Sequence, residues 1–245
     1  MLELPRYFDG FASGKNGRFV AQWPPFGAER VSVEEIFDVF ILSVVPLVIA
    51  VVLHEISHGM VAYALGDDTA KRAGRFKLHT HFDLFGSFLI PLFLYMVKSP
   101  FLIGYAKPVP VDWRKFANPR MDMALVAVGG PLCNALLALA AIFILRSCEI
   151  FSQMWVQFLF NFITVNLALG LFNLIPIPPL DGSRVLTALL PARMAEKMYR
   201  LEPYGILLLF GVEFLGSQLS KILGFRVGIL VLLEMLLRKI IRMIF

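Results

Sequence analysis

Val39–Leu65 reads VFILSVVPLVIAVVLHEISHGMVAYAL. The stretch up to Leu53 carries no charge. His54-Glu55-Ile56-Ser57-His58 then interrupts it, and the apolar pattern resumes to Leu65. As one helix the segment is about 40 Å long at about 1.5 Å per residue, more than the ~30 Å of a bilayer's hydrocarbon core. We therefore read it as a membrane-spanning helix with three ionisable side chains set two-thirds of the way along. Each costs about 2–3 kcal/mol to insert, so the cluster needs a compensating role.

The rest of the chain agrees with lipid as the main solvent. Of the 245 residues 58% are hydrophobic and 17% charged, against about 45–50% and about 25% in soluble chains. Mean hydropathy is +0.73. These values exclude disorder, a fibrous rod and most soluble enzymes. The net charge of +5 fits basic loops on one membrane face; no basic run points to nucleic acid. Cys133 and Cys148 form no metal or disulfide pattern and read as packing residues. Residues 1–35 form a polar segment without the pattern of a signal peptide. Met123–Leu145 and Met154–Leu180 are uncharged spans. Tyr204–Ser220, broken by Glu213, and Val227–Phe245, broken by Glu234, Arg238, Lys239 and Arg242, are weaker ones. The expectation is a polytopic α-helical membrane protein of about five transmembrane helices, with one membrane-embedded domain over 36–245.

Residues 66–122 break this pattern. Phe76, Leu78, Thr80 and Phe82 alternate with Lys77, His79, His81 and Asp83, a period of two that predicts a β-strand over 74–83. Leu84–Val97 is too short for a comfortable crossing and predicts a re-entrant piece.

On a helix His54 and His58 share a face, so both imidazoles can reach one ion, and zinc suits two imidazole nitrogens. Glu55 is about 100° round the helix, poor as a third ligand but well placed to exchange a proton with a water. A structural polar cluster is the bland alternative. A third ligand is sought in Asn173–Gly182, NLIPIPPLDG, where Pro176, Pro178 and Pro179 break a helix at membrane depth. Asp181 either caps the helix that follows or completes a three-ligand site with one open position. His79 and His81 as further ligands would close that position, so His81 and Asp83 are read as hydrogen-bonding locally or sitting at the mouth of the site. Glu213 in its apolar span is read as facing a polar gap rather than as a functional group.

HEISHG, Gly130-Pro131-Leu132-Cys133-Asn134 and NLIPIPPLDG together resemble the site-2 protease family of intramembrane zinc metalloproteases. GDDTAKRAGRF, HFDLFGS and GYAKPVPVDWRKFANPR resemble its compact prokaryotic members, which lack a PDZ domain. The likeness covers about residues 40–210. It implies His54, His58 and Asp181 as ligands of one zinc ion, Glu55 as the catalytic acid/base, and Asn134 and Asn173 as supports near the reacting carbonyl. It implies a membrane-protein substrate, cut within or near a transmembrane segment. A non-proteolytic metal-binding membrane protein, a transporter or sensor, is the alternative; such a protein has no need of Glu55.

If both histidines and Asp181 meet at one depth, the two segments that carry them run in the same direction, and 66–122 returns to the side it left. The site then lies toward the Lys/Arg-rich, cytoplasmic face, with the N-terminus outside. Extended substrate is expected to pair with the 74–83 strand, beside Phe76, Leu78 and Thr80.

Overall fold

The computed structural model describes residues 37–38, 40–81, 83, 86, 89–90, 93, 107–147, 152–224 and 227–244. The N-terminal segment 1–35 lies outside them, as does the expected re-entrant piece 84–97 apart from positions 86, 89, 90 and 93.

The first apolar run opens as a π-helical turn, Phe40–Val44, and continues as α1, Val45–Ala64. Pro46 stands in the first turn of α1, and because the turn ahead of it is already helical its missing N–H leaves a carbonyl one turn back without a helical donor. The Leu42 carbonyl takes the Asn161 side-chain amide at 2.7 Å. The helix ends at Gly66, whose φ of 104° suits only glycine. A short helix α2, Thr69–Arg72, follows.

Two long helices pack against α1: α3, Pro119–Ser147, and α4, Gln153–Asn173. In α3 most of the buried residues are small or polar (Ala124, Ala127, Gly130, Asn134, Ala138, Ala141), with Val126, Ile142 and Leu145 the larger buried ones, while Leu125, Leu132, Leu136, Leu139 and Phe143 point outward. Small residues let backbones approach within lipid, and the large apolar ones meet the acyl chains. α4 ends at Asn173, where the proline-rich stretch begins, and α5, Asp181–Leu189, starts at its far side. Arg120 at the start of α3 donates to the Thr187 and Leu190 carbonyls at the end of α5.

The chain then forms α6, Ala192–Leu201, α7, Gly205–Leu223, and α8, Ile229–Ile244. Among the described residues four stretches are long and apolar enough to cross a membrane: Phe40–Ala64, Pro119–Ser147, Gln153–Asn173 and Ala192–Leu223. The fifth expected span is corrected. α8 has 16 residues, about 24 Å at about 1.5 Å each, too short to cross. It lays Leu237 and Ile241 on Phe160 of α4 and holds an internal Arg238–Glu234 pair at 2.7 Å. Glu213, within α7, accepts the Leu230 backbone N–H at 3.2 Å and so caps the start of α8.

The expected strand over 74–83 is also corrected: no strand occurs among the described residues, and Leu78–His81 is a 3₁₀ turn. Gly74 has φ 69°, which ends any extended run. Thr80 bonds the Lys77 carbonyl through its N–H at 3.1 Å and its hydroxyl at 2.7 Å. A strand would bury Leu78 and expose His81; instead Leu78 is 57% exposed and His81 fully buried. Its two ring nitrogens lie against the carbonyls of Arg75 (2.6 Å) and Lys107 (3.1 Å). Backbone acceptors, rather than hydrophobicity, decide the faces of this loop.

The chain comes back to the end of α1 that it left. The buried Asp67 carboxylate accepts the Asp112 N–H at 2.7 Å and meets Lys115 at 3.2 Å, and Lys115 also reaches Asp68 at 2.7 Å. Burial raises the Asp67 carboxyl, but hydrogen bonds from Thr69, Asp112 and Lys115 outweigh it and hold the group below the usual carboxylate range.

Candidate active site

α1 presents His54 and His58 one turn apart on its buried face. Both rings are oriented from behind. His58 Nδ1 donates to the Val126 carbonyl of α3 at 2.7 Å. His54 Nδ1 lies 2.6 Å from Asn134 Oδ1. Carbonyl oxygens only accept, so both imidazoles carry their proton on Nδ1 and turn an Nε2 lone pair inward.

The two Nε2 atoms are 3.1 Å apart. Asp181 Oδ2 lies 3.2 Å from that of His54 and 3.3 Å from that of His58. This oxygen is buried and has no hydrogen-bond partner. Three acceptor atoms thus face one another without a proton between them, an arrangement that repels unless a cation sits among them. Tetrahedral bonds of about 2.0–2.1 Å set ligand atoms about 3.3 Å apart, close to the separations seen. The donor set of two imidazoles and a carboxylate fits a metal ion such as zinc.

Asp181 is the first residue of α5 and not its cap: the cap is Leu180, no side chain caps this end, and the Asp181 carboxylate turns to the imidazoles instead. Gly182 lets α5 start there, since a Cβ would fall 2.2 Å from the Leu174 carbonyl oxygen. Gly130 is equally constrained: a Cβ would lie 2.5 Å from His54 Cε1 and 2.6 Å from both Nε2 atoms.

Glu55 does not join the three converging ligand atoms, as its spacing predicts. Its Oε2 accepts the Val109 N–H at 3.0 Å, which ties it to the segment 107–112.

A search of family models matches residues 146–215 to Peptidase family M50. A candidate zinc metalloprotease of Bacillus subtilis, YwhC, is 39% identical over 71% of this chain and 81% of its own length. A second, MJ0611 of Methanocaldococcus jannaschii, is 30% identical over 60% of this chain and 70% of its own. The chain belongs to peptidase family M50. No solved structure gives a significant match. Membership makes it a metalloprotease-family protein, and its long apolar helices make it multi-pass in the membrane.

The structure of this M50 member places the remaining residues singled out in the sequence as follows. His54, His58 and Asp181 converge. Asn134 is fully buried behind His54, a place that orients the ring rather than one open to a substrate carbonyl. The Asn173 amide donates to Leu169, one turn back in its own helix, at 3.0 Å. Phe76 packs edge-on to Tyr63, with ring centroids 6.0 Å apart; with the strand gone, Phe76, Leu78 and Thr80 form no edge. His81 spends both nitrogens in the loop, and His79 lies outside the group of ligand atoms that converge. Asp83 accepts the Gly86 N–H at 2.8 Å, the local role expected. Sequence reasoning missed the Val109 amide and the Val126 carbonyl, which no side chain announces. It also missed Asn166, which nothing in the sequence singled out among the four side-chain amides of the uncharged span Met154–Leu180, the others being Gln157, Asn161 and Asn173.

Proposed function

We propose that this chain is a zinc-dependent endopeptidase that cuts membrane proteins within or near a transmembrane segment. The observation that carries the reading is the set of three inward acceptor atoms of His54, His58 and Asp181, within 3.3 Å of one another beside a membrane-spanning helix that also bears Glu55. Zinc held by those residues would acidify a water and polarise a peptide carbonyl. Glu55 takes the proton of the attacking water and later delivers one to the leaving amine. The Val109 N–H holds one carboxylate oxygen of Glu55; the other is the one assigned the proton transfer. Asp181 balances positive charge at the ligands, and Asn134 keeps His54 in its ligating tautomer.

The substrate must unwind locally, because a carbonyl inside an α-helix is bonded to the amide four residues on. Freed backbone groups in lipid cost several kcal/mol each, so cleavage is expected near Gly, Pro or Asn in the substrate helix. The test incubates purified protein with a single-span substrate, with and without chelator, and maps any cut by mass. Glu55→Gln keeps shape and zinc but loses the proton acceptor, so cleavage should fall by about 10²–10⁴-fold. Normal cleavage by this variant, or cleavage indifferent to chelator, overturns the reading.

A further inference from the structure

Behind the candidate metal site a line of amides runs across three helices. Asn166 of α4 donates from Nδ2 to the Phe162 carbonyl at 2.8 Å. Its Oδ1 accepts from Asn134 Nδ2 of α3 at 2.8 Å. Asn134 Nδ2 also reaches the Ala50 carbonyl of α1 at 3.3 Å, and Asn134 Oδ1 faces His54 Nδ1 at 2.6 Å. Asn134 and Asn166 are both 0% exposed.

The polarity of this line is set mainly from its far end, with the Ala50 carbonyl, at a longer 3.3 Å, favouring the same orientation of Asn134. The Phe162 carbonyl can only accept, so Asn166 presents its N–H there and its oxygen to Asn134. Asn134 must then give its N–H to Asn166 and turn its oxygen to His54. His54 must hold its proton on Nδ1, which leaves Nε2 unprotonated. A flipped Asn134 would offer an N–H to His54 Nδ1, move the ring proton to Nε2 and block the ligand position. His58 has no such weakness, since its partner is the backbone carbonyl of Val126, which cannot flip.

We infer that Asn166 is a positioning residue for the metal site: acting through Asn134, it sets the tautomer of His54. The inference rests on the zinc reading above and goes beyond it by assigning a role to a residue in no contact with the three ligands. It also explains why two amides, costly in lipid, are buried in line between apolar helices.

The experiment compares Asn166→Leu, which removes the acceptor at similar size, with Asn166→Asp, which keeps it. Two readouts run in parallel on the full chain: the rate of zinc loss to a chromogenic chelator, and histidine tautomers from ¹⁵N NMR of the metal-free protein. The chain has four histidines, so signals are assigned by single substitutions. We expect Asn166→Leu to weaken zinc retention by about 10–100-fold, as partners of ligating histidines do. His54 should lose its single Nδ1–H signature while His58 keeps it. Asn166→Asp should hold zinc within a few-fold of the parent chain. Three results overturn the inference: unchanged zinc retention and His54 signature in Asn166→Leu, equal zinc loss in Asn166→Asp, or His54 and His58 signatures lost together, which marks a general packing defect. If the parent chain binds no zinc, the functional reading fails, and the His54 signature in metal-free Asn166→Leu still decides the role of Asn166.

Discussion

The tightest constraint at the scale of single residues is Gly130. Its missing side chain is what lets α3 lie against both imidazoles, with a Cβ position 2.5 Å from the His54 ring. Alanine is better than glycine in a helix by about 1 kcal/mol, so Gly130→Ala should leave α3 formed. It should nonetheless push His54 and His58 off their common point and strip the metal, as His54→Ala, His58→Ala or Asp181→Ala would. His79→Ala and His81→Ala should keep one zinc per chain. Metal quantification after dialysis checks the set. A Gly130→Ala chain that still holds one zinc, or loss of zinc in either loop variant, would show that the ligands are assigned wrongly.

At the scale of elements, the segment 107–112 is fastened at three points: Lys107 to His81, Val109 to Glu55, and Asp112 to Asp67. Asp67 is the anchor that one substitution removes. Asp67→Asn loses the pairing with Lys115 and one of the oxygens that meet Thr69 and Asp112. Leaving a buried donor unpaired costs about 1–3 kcal/mol, so hydrogen exchange at the Asp112 amide should quicken at least several-fold. Zinc should stay, while cleavage falls because Glu55 loses its fixed partner. The carboxyl of Asp67 lies below its ordinary range when folded. Its stabilisation is therefore complete above the unfolded value and fades as pH falls through the lowered folded one. Protection of Asp112 should follow that course in the parent chain and show no such step in Asp67→Asn. Parent-like exchange at Asp112 in the variant would discard the anchor. This loop is also where the sequence misled. Helices and their proline break were legible because long apolar runs and missing N–H groups act locally. The histidine pair was legible because i, i+4 spacing is local too; Asp181, more than 100 residues away in the sequence, stayed open between cap and ligand, and only the family resemblance chose between them. The faces of 74–83 were not, since His81 is buried by carbonyls of Arg75 and Lys107, the second 26 residues away.

For the whole molecule, the question is which way the bundle sits. α1 and α4 run in the same direction, and the Asp67–Asp112 and Arg120–α5 bonds gather residues 66–81, 107–120 and 181–200 at the end nearest the metal site. Arg146 donates to the Ile244 carbonyl, so the basic end of α8 lies at the other end of α3. That placement differs from a C-terminal helix crossing to the site end, and it narrows the charge excess from which a cytoplasmic site is proposed. Accessibility has to decide. Single cysteines at Lys77, Arg114 and Arg193, all exposed, in a chain lacking Cys133 and Cys148, should react with an impermeant reagent from one shared face. That face should be the cytoplasmic one, and a cysteine at Lys15 should react from the outside. Positions 77 and 114 bracket the segment 84–97, so labelling of these two from opposite faces would mean that it crosses the bilayer. Asp67 and Asp112 could not then be hydrogen-bonded, and the helix bundle that brings Asp181 to the two histidines would have to be rebuilt. Shared labelling from the outer face would leave the triad intact and invert only the orientation.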